Sequence, residues 1–180
     1  MQILTALMAN DQINQWYVSR YIDLGNTIFT CDYLINHLDS LVDLIEPEMQ
    51  DQINRWGGTY NEWQGNVQSF RDSILKRCTT LDEGLVDCYN IDGPYPLVFD
   101  VDPPLSGDID INSLNPNNYV FEGDYFGNID INLKANANTG FIFSHWEVKT
   151  QPSILTTPTT DEIGVLNITG MDTIVAHFVI

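Results

Sequence analysis

Asp108, Asp110 and Asn112 alternate with isoleucines along one stretch, and Asp130 and Asn132 repeat the pattern twenty residues later. On a strand, residues two apart share a face about 7 Å from one another. The oxygens would therefore line one side of a sheet, and hard oxygen donors are what calcium takes. Asp108, Asp110 and Asp130 are the candidate metal face. The competing reading is a solvated strand face whose charges keep an edge from pairing.

The other chemistry-bearing side chains are few. His37 falls in a helical stretch, and His145 and His177 fall in strand-like stretches. No two are spaced as a zinc pair, so each is read as structural. Gly-x-Ser-x-Gly, a glycine-rich phosphate loop and His-Glu-x-x-His are all absent. No catalytic or cofactor-binding residue is assigned.

There are three cysteines, Cys31, Cys78 and Cys88. On one continuous helix Cys78 and Cys88 would stand about 15 Å apart, beyond disulfide reach. A chain reversal at Thr79–Glu83, with Thr80 as an N-cap, would bring them together. Cys78–Cys88 is therefore the disulfide candidate, against the alternative of two buried thiols, and Cys31 is left as a lone buried thiol.

The elements expected to position these groups fall into two unlike halves. Up to residue 90 the apolar residues recur at three and four, as helices require. Ile13, Trp16, Tyr17, Tyr21, Leu24 and Ile28 mark a first helix. Tyr33, Leu34, Leu38, Leu41, Val42 and Ile45 mark a second, with Thr30 as its N-cap. Pro47 starts a third that Gly57 and Gly58 end. Thr59 caps a fourth, with Tyr60, Trp63, Val67, Phe70, Ile74 and Leu75 facing inward.

The segment NIDGPYP (90–96) breaks any helix. Beyond it seven short strands are expected, near 97–102, 107–112, 119–122, 128–134, 141–149, 162–169 and 173–179. Ser113–Asn118 and Glu122–Gly127 read as turns. Ile109, Ile111, Ile129 and Ile131 should share the buried face. Most of Tyr119, Tyr125, Phe126, Phe141, Phe143 and Trp146 should join them in the core. The expected fold class is α+β: a helical subdomain of about four helices over 1–92, then a small antiparallel all-β module over 93–180.

With 25 acidic and 7 basic residues the chain carries a formal charge of −18. Such a surface repels phosphate backbones and anionic lipid, which argues against nucleic acid or membrane insertion. No apolar run approaches the length of a membrane span, and no signal peptide is read in MQILTALMANDQ.

Several motifs carry a resemblance. LMAN (7–10), RYIDLGNTIF (20–29), PEMQDQINRWG (47–57) and WQGNV (63–67) follow one another, with RC (77–78) and DCY (87–89) behind. In this order they resemble the closing segment of CotH-type kinase-like domains. The later IDINS (109–113), EGDYFG (122–127), LKA (133–135), GFIFSHWE (140–147) and IVAHF (174–178) resemble a divergent InlB B-repeat module. Large secreted bacterial proteins place such a module after a CotH domain.

The resemblance implies a secreted or cell-surface, spore-coat-related setting and a parent activity of protein phosphorylation with ATP and a divalent metal. It implies that the nucleotide lysine and catalytic acids lie upstream of the matched segment, so none is carried onto this chain and no cofactor is expected in it. Phosphoryl transfer needs metal, phosphate clamp and base assembled together. The leading expectation is a non-catalytic C-terminal portion whose partner is an upstream kinase-like lobe. The alternatives are a free-standing extracellular module binding protein or glycan, and a calcium-stabilised adhesin.

Overall fold

Thr30 and Thr59 each start a helix for the same reason. The threonine hydroxyl accepts from the backbone N–H three residues on, Tyr33 at 3.3 Å and Glu62 at 3.2 Å, satisfying one donor that the first turn leaves free. Pro47 opens a short 3-10 turn, Glu46–Glu48, where its missing N–H costs nothing. Gly57 ends the helix that follows, with φ +84° and its N–H on the Ile53 carbonyl at 2.8 Å. These four expectations hold.

The computed structural model describes residues 2–180. Among them are six α-helices: α1 (Gln2–Met8), α2 (Asp11–Gly25), α3 (Cys31–Ile45), α4 (Met49–Trp56), α5 (Tyr60–Thr79) and α6 (Leu81–Tyr89). The count exceeds the expected four by the short helices α1 and α6. Seven strands follow: β1 (Asp92–Asp102), β2 (Gly107–Ile111), β3 (Phe121–Gly127), β4 (Ile131–Ala137), β5 (Ile142–Val148), β6 (Ile163–Leu166) and β7 (Asp172–Val179). The chain forms two compact units, residues 25–84 and residues 1–24 with 85–180.

In the second of these units the strands form two sheets, ordered β3-β1-β7-β5 and β2-β4-β6. Their inner faces carry the core. Leu97, Phe99, Ile109, Ile111, Leu166, Ile174 and Ala176 are shielded completely, and Trp146 almost so. The isoleucine alternation holds, since Ile129 and Ile131 are buried as well. Trp146 resolves its polar atom inside the core by donating its indole N–H to the Asp161 carbonyl at 2.9 Å. Of the aromatics expected there, Tyr125, Phe126 and Trp146 are buried, and Tyr119, Phe141 and Phe143 are half-buried.

Two expectations for the β module are corrected. It is not purely antiparallel: β1 and β7 pair in parallel, Leu97 against Asp172 through Asp102 against His177. All the intervening strands lie between them in sequence, and a parallel pair needs a long return connection of that kind. Second, Glu122–Gly127 is not a turn but most of β3, an edge strand set against β1 with Tyr95 opposite Tyr125. Its glycines weaken strand propensity, yet Tyr125 and Phe126 anchor it by complete burial.

The unit of residues 25–84 is built differently. Leu38 is the only apolar side chain buried there among the described residues. Of the side chains expected to face inward, Tyr33, Leu41, Ile45 and Phe70 are exposed, with Leu44 and Trp56 beside them. A disulfide joins Cys31, at the start of α3, to Cys78, near the end of α5, with Cα atoms 5.4 Å apart. An ion pair between Arg71 and Asp39 links the same two helices. It holds the Asp39 carboxyl below the usual range, the Arg71 hydrogen bond outweighing desolvation.

The Cys78–Cys88 candidate is therefore corrected. Thr80 is a single-residue break rather than a reversal. Its hydroxyl donates back to the Lys76 carbonyl at 2.9 Å, and its own carbonyl accepts from the Gly84 N–H at 3.2 Å, carrying helical bonding across the junction. Cys88 is a free, exposed thiol, and Cys31 is not a lone buried one.

Candidate functional site

Helix α2 buries Val18 and Ile22, one turn apart, as an apolar stripe should. It also buries Ser19 and Asp23, the polar residues immediately after them. An ionised carboxyl inside a protein must be hydrogen-bonded or it is prohibitively costly. The segment after β2 meets that demand: Ser113 gives Asp23 its backbone N–H at 2.9 Å and its hydroxyl, and the Asn112 amide donates from 3.4 Å. Burial still raises the Asp23 pKa above its ordinary value, against the lowering effect of Ser113, Asn112 and Arg20.

Further contacts lock the same junction. Gln15 donates its amide to the Asp130 carbonyl at 2.7 Å and accepts the Asp130 backbone N–H at 3.2 Å, closing a two-way clamp. Arg20 donates to the Ser113 hydroxyl at 2.6 Å. Asn112, at φ +49°, accepts the Asn132 N–H on its side-chain oxygen at 2.8 Å. Asparagine tolerates that left-handed conformation better than most residues. Between α2 and the ends of β2 and β4 lies a cleft of about 610 Å³, with Trp16, Arg20 and Asn132 on its walls and Ser19 and Asp23 at its base. Trp16 stands at 74% exposure.

The three carboxylates of the candidate metal face do not converge. Asp108 and Asp110 stay together on β2, and Asn115 and Asn136 bridge them. The Asn115 amide reaches them at 3.0 and 2.6 Å, and the Asn136 amide at 2.9 and 3.0 Å. Desolvation works upward on Asp110, but the Asn136 and Asn115 hydrogen bonds and the charge of Lys134 outweigh it and lower its pKa. Lys134, not Asp130, stands opposite Asp110 across the ladder. Asp130 lies four residues before Lys134, about 13 Å along the chain, and accepts from Asn167 at 3.2 Å. Among the described residues no three of His, Cys, Asp and Glu are grouped to hold a metal.

The histidines are likewise placed. His37 stacks on Tyr33 within α3. His145 and His177 face each other across β5 and β7, their rings parallel and 4.6 Å apart. His177 has Asp102 at 3.1 Å on Nδ1 and Glu147 at 2.9 Å on Nε2. Tyr119 reaches the β2 backbone, donating to the Ile109 carbonyl at 3.1 Å, and burial helps push its hydroxyl up to about 12.

The cleft beside α2 escaped sequence reasoning because Trp16 was expected on the inward apolar face of its helix, whereas it stands exposed. The available signal was the pair Ser19 and Asp23, four apart on the face that also carries Val18 and Ile22.

No described helix is long and apolar enough to cross a membrane. Comparison with curated proteins finds no match, and comparison with solved structures finds none either. The family model described as CotH kinase protein matches residues 1–81 and stops before the first strand. The helical segment of residues 1–81 is thus a CotH kinase family domain segment.

Proposed function

We propose that residues 1–81 are the C-terminal helical part of a CotH-type kinase-like domain, without catalytic residues of their own, followed by a β module that positions the protein or binds outside the cell. The observation that carries this reading is the family match falling on helices that have almost no core. A folded unit of about sixty residues normally buries about 60% of the surface its chain exposes when unfolded. Residues 25–84 instead leave Leu44 at 73% and Trp56 at 71% exposure, with one buried apolar side chain among the described residues. Exposed apolar faces of this kind mark surfaces meant to be covered. The covering partner proposed is the kinase-like lobe encoded upstream, which supplies the nucleotide lysine, the metal-binding acids and the base. The Cys31–Cys78 bridge supports an oxidising compartment, consistent with a secreted or cell-surface protein. The resemblance of the β module to an InlB B-repeat supports the same setting.

The test is the reading frame ahead of Met1. An open frame encoding the kinase lobe supports the proposal; an in-frame stop directly upstream overturns it. The purified chain should turn over no ATP, and magnesium-dependent turnover by it alone would remove the non-catalytic assignment. It should bind a hydrophobic dye through the helical unit, and Phe70→Glu with Leu44→Glu should reduce that binding.

A further inference from the structure

The cleft beside α2 combines features that the kinase-like reading does not use. Its mouth carries Trp16, three-quarters exposed on the surface of a helix. One turn on from Trp16 stands Arg20, and across the cleft stand Asn112 and Asn132. These are planar polar groups that offer paired donors and acceptors beside an aromatic face. The frame that holds them is already ordered. Asp23 ties down Asn112 and Ser113, Asn112 ties down the backbone of Asn132, and Gln15 ties α2 to Asp130. A ligand binding here pays little to immobilise its site.

The lining excludes two ligand classes. A phosphorylated or sulfated ligand would meet a single guanidinium in a chain of net charge −18, with Asp23 among the cleft's lining. A fully apolar ligand would strip water from Ser19, Arg20 and Asn132 without replacing it. A ligand with an apolar C–H face on one side and neighbouring hydroxyls at its edge satisfies both halves of the lining.

We propose that this cleft binds a neutral saccharide, its ring face stacked on Trp16 and its hydroxyls bonded to Arg20, Asn112 and Asn132. The site belongs to the unit that contains the β module, and the proposal does not rest on the kinase-like reading.

The experiment is calorimetric titration of the full oxidised chain with neutral cello-, chito-, malto- and manno-oligosaccharides, with a sulfated oligosaccharide as contrast. At least one neutral series should bind. Trp16→Ala should weaken it by about tenfold or more, the scale of one lost aromatic contact. Trp16→Phe should restore part of the affinity. Because Trp16 lies outside the core, its alanine variant should keep the wild-type melting temperature. No binding by any neutral series at millimolar concentration overturns the proposal. So does binding that Trp16→Ala leaves unchanged, or a preference for the sulfated sugar. Dye binding by the helical unit should be the same in the Trp16 variants, so failure here is distinct from failure of the kinase-like reading.

Discussion

The Asp23 carboxylate accepts the backbone N–H of Ser113 at 2.9 Å, although the two residues lie ninety positions apart. A helix at the start of the chain is thereby bonded to the turn after β2, with the Asp23 end of the bond buried and Ser113 exposed. Removing the carboxyl deletes hydrogen bonds to a charged acceptor, a loss of about 1.5–3 kcal/mol. Asp23→Ala should therefore lower stability by that amount in denaturant unfolding.

Asp23→Asn should behave differently, because its side-chain oxygen still accepts from Ser113. The folded-state pKa of Asp23 is raised, so the stability it contributes is complete below the unfolded value and is lost as pH rises through the folded value. The asparagine variant has no such loss. Its stability relative to wild type should improve as pH climbs from about 4 toward neutrality, and unfolding curves at several pH values would show it. A difference that does not change with pH would mean that Asp23 does not titrate against its burial.

Cys31 and Cys78 close a loop of 47 residues in a unit with little core of its own. The chain-entropy relation assigns a loop of that length about 4 kcal/mol. Reduction, or Cys31→Ser with Cys78→Ser, should melt the helical unit. Far-ultraviolet circular dichroism should lose helical signal while the near-ultraviolet band of buried Trp146 persists. Alkylation of the untreated protein should modify Cys88 alone.

Gly107, the first residue of β2, has Phe178 of the other sheet packed against its backbone. A Cβ there would stand 2.5 Å from both the Asn136 carbonyl and the Phe178 ring. Neither the ladder nor a core phenylalanine can give way freely. Gly107→Ala should cost about 1–3 kcal/mol, the range for overpacking, and a melting curve within error of wild type would contradict the packing described.

His177 stands between two carboxylates and can donate to both only as the imidazolium. Lys149 first, and His177 second, hold the Glu147 carboxyl below its ordinary range. A depressed carboxylate contributes stability above its unfolded pKa and loses it as pH falls through the folded value. In His177→Ala, the Glu147 carboxyl resonance should titrate at higher pH than in wild type, yet still below a free glutamate because Lys149 remains. Asp102 on β1 and His145 on β5 stand against His177, and Lys149 just beyond β5 pairs with Glu147.

Much of the local structure was written in short windows of residues. Thr30, Thr59, Pro47 and Gly57 each mark a helix end because capping is settled by neighbours three or four positions away. The alternation through Ile109, Ile111, Ile129 and Ile131 assigned their buried face, since a strand has only two sides. What no window contains is the partner. The parallel pairing of β1 with β7, and the choice of Cys31 over Cys88 for Cys78, depend on which distant segments the chain brings together. The helical periodicity of residues 25–84 promised a core that these residues do not close, because amphipathicity says that a face is apolar and not what covers it. Asp23 shows the converse: a charged side chain reads as solvent-facing until Ser113 arrives from ninety residues away to satisfy it, and only the tertiary structure decides that it is buried.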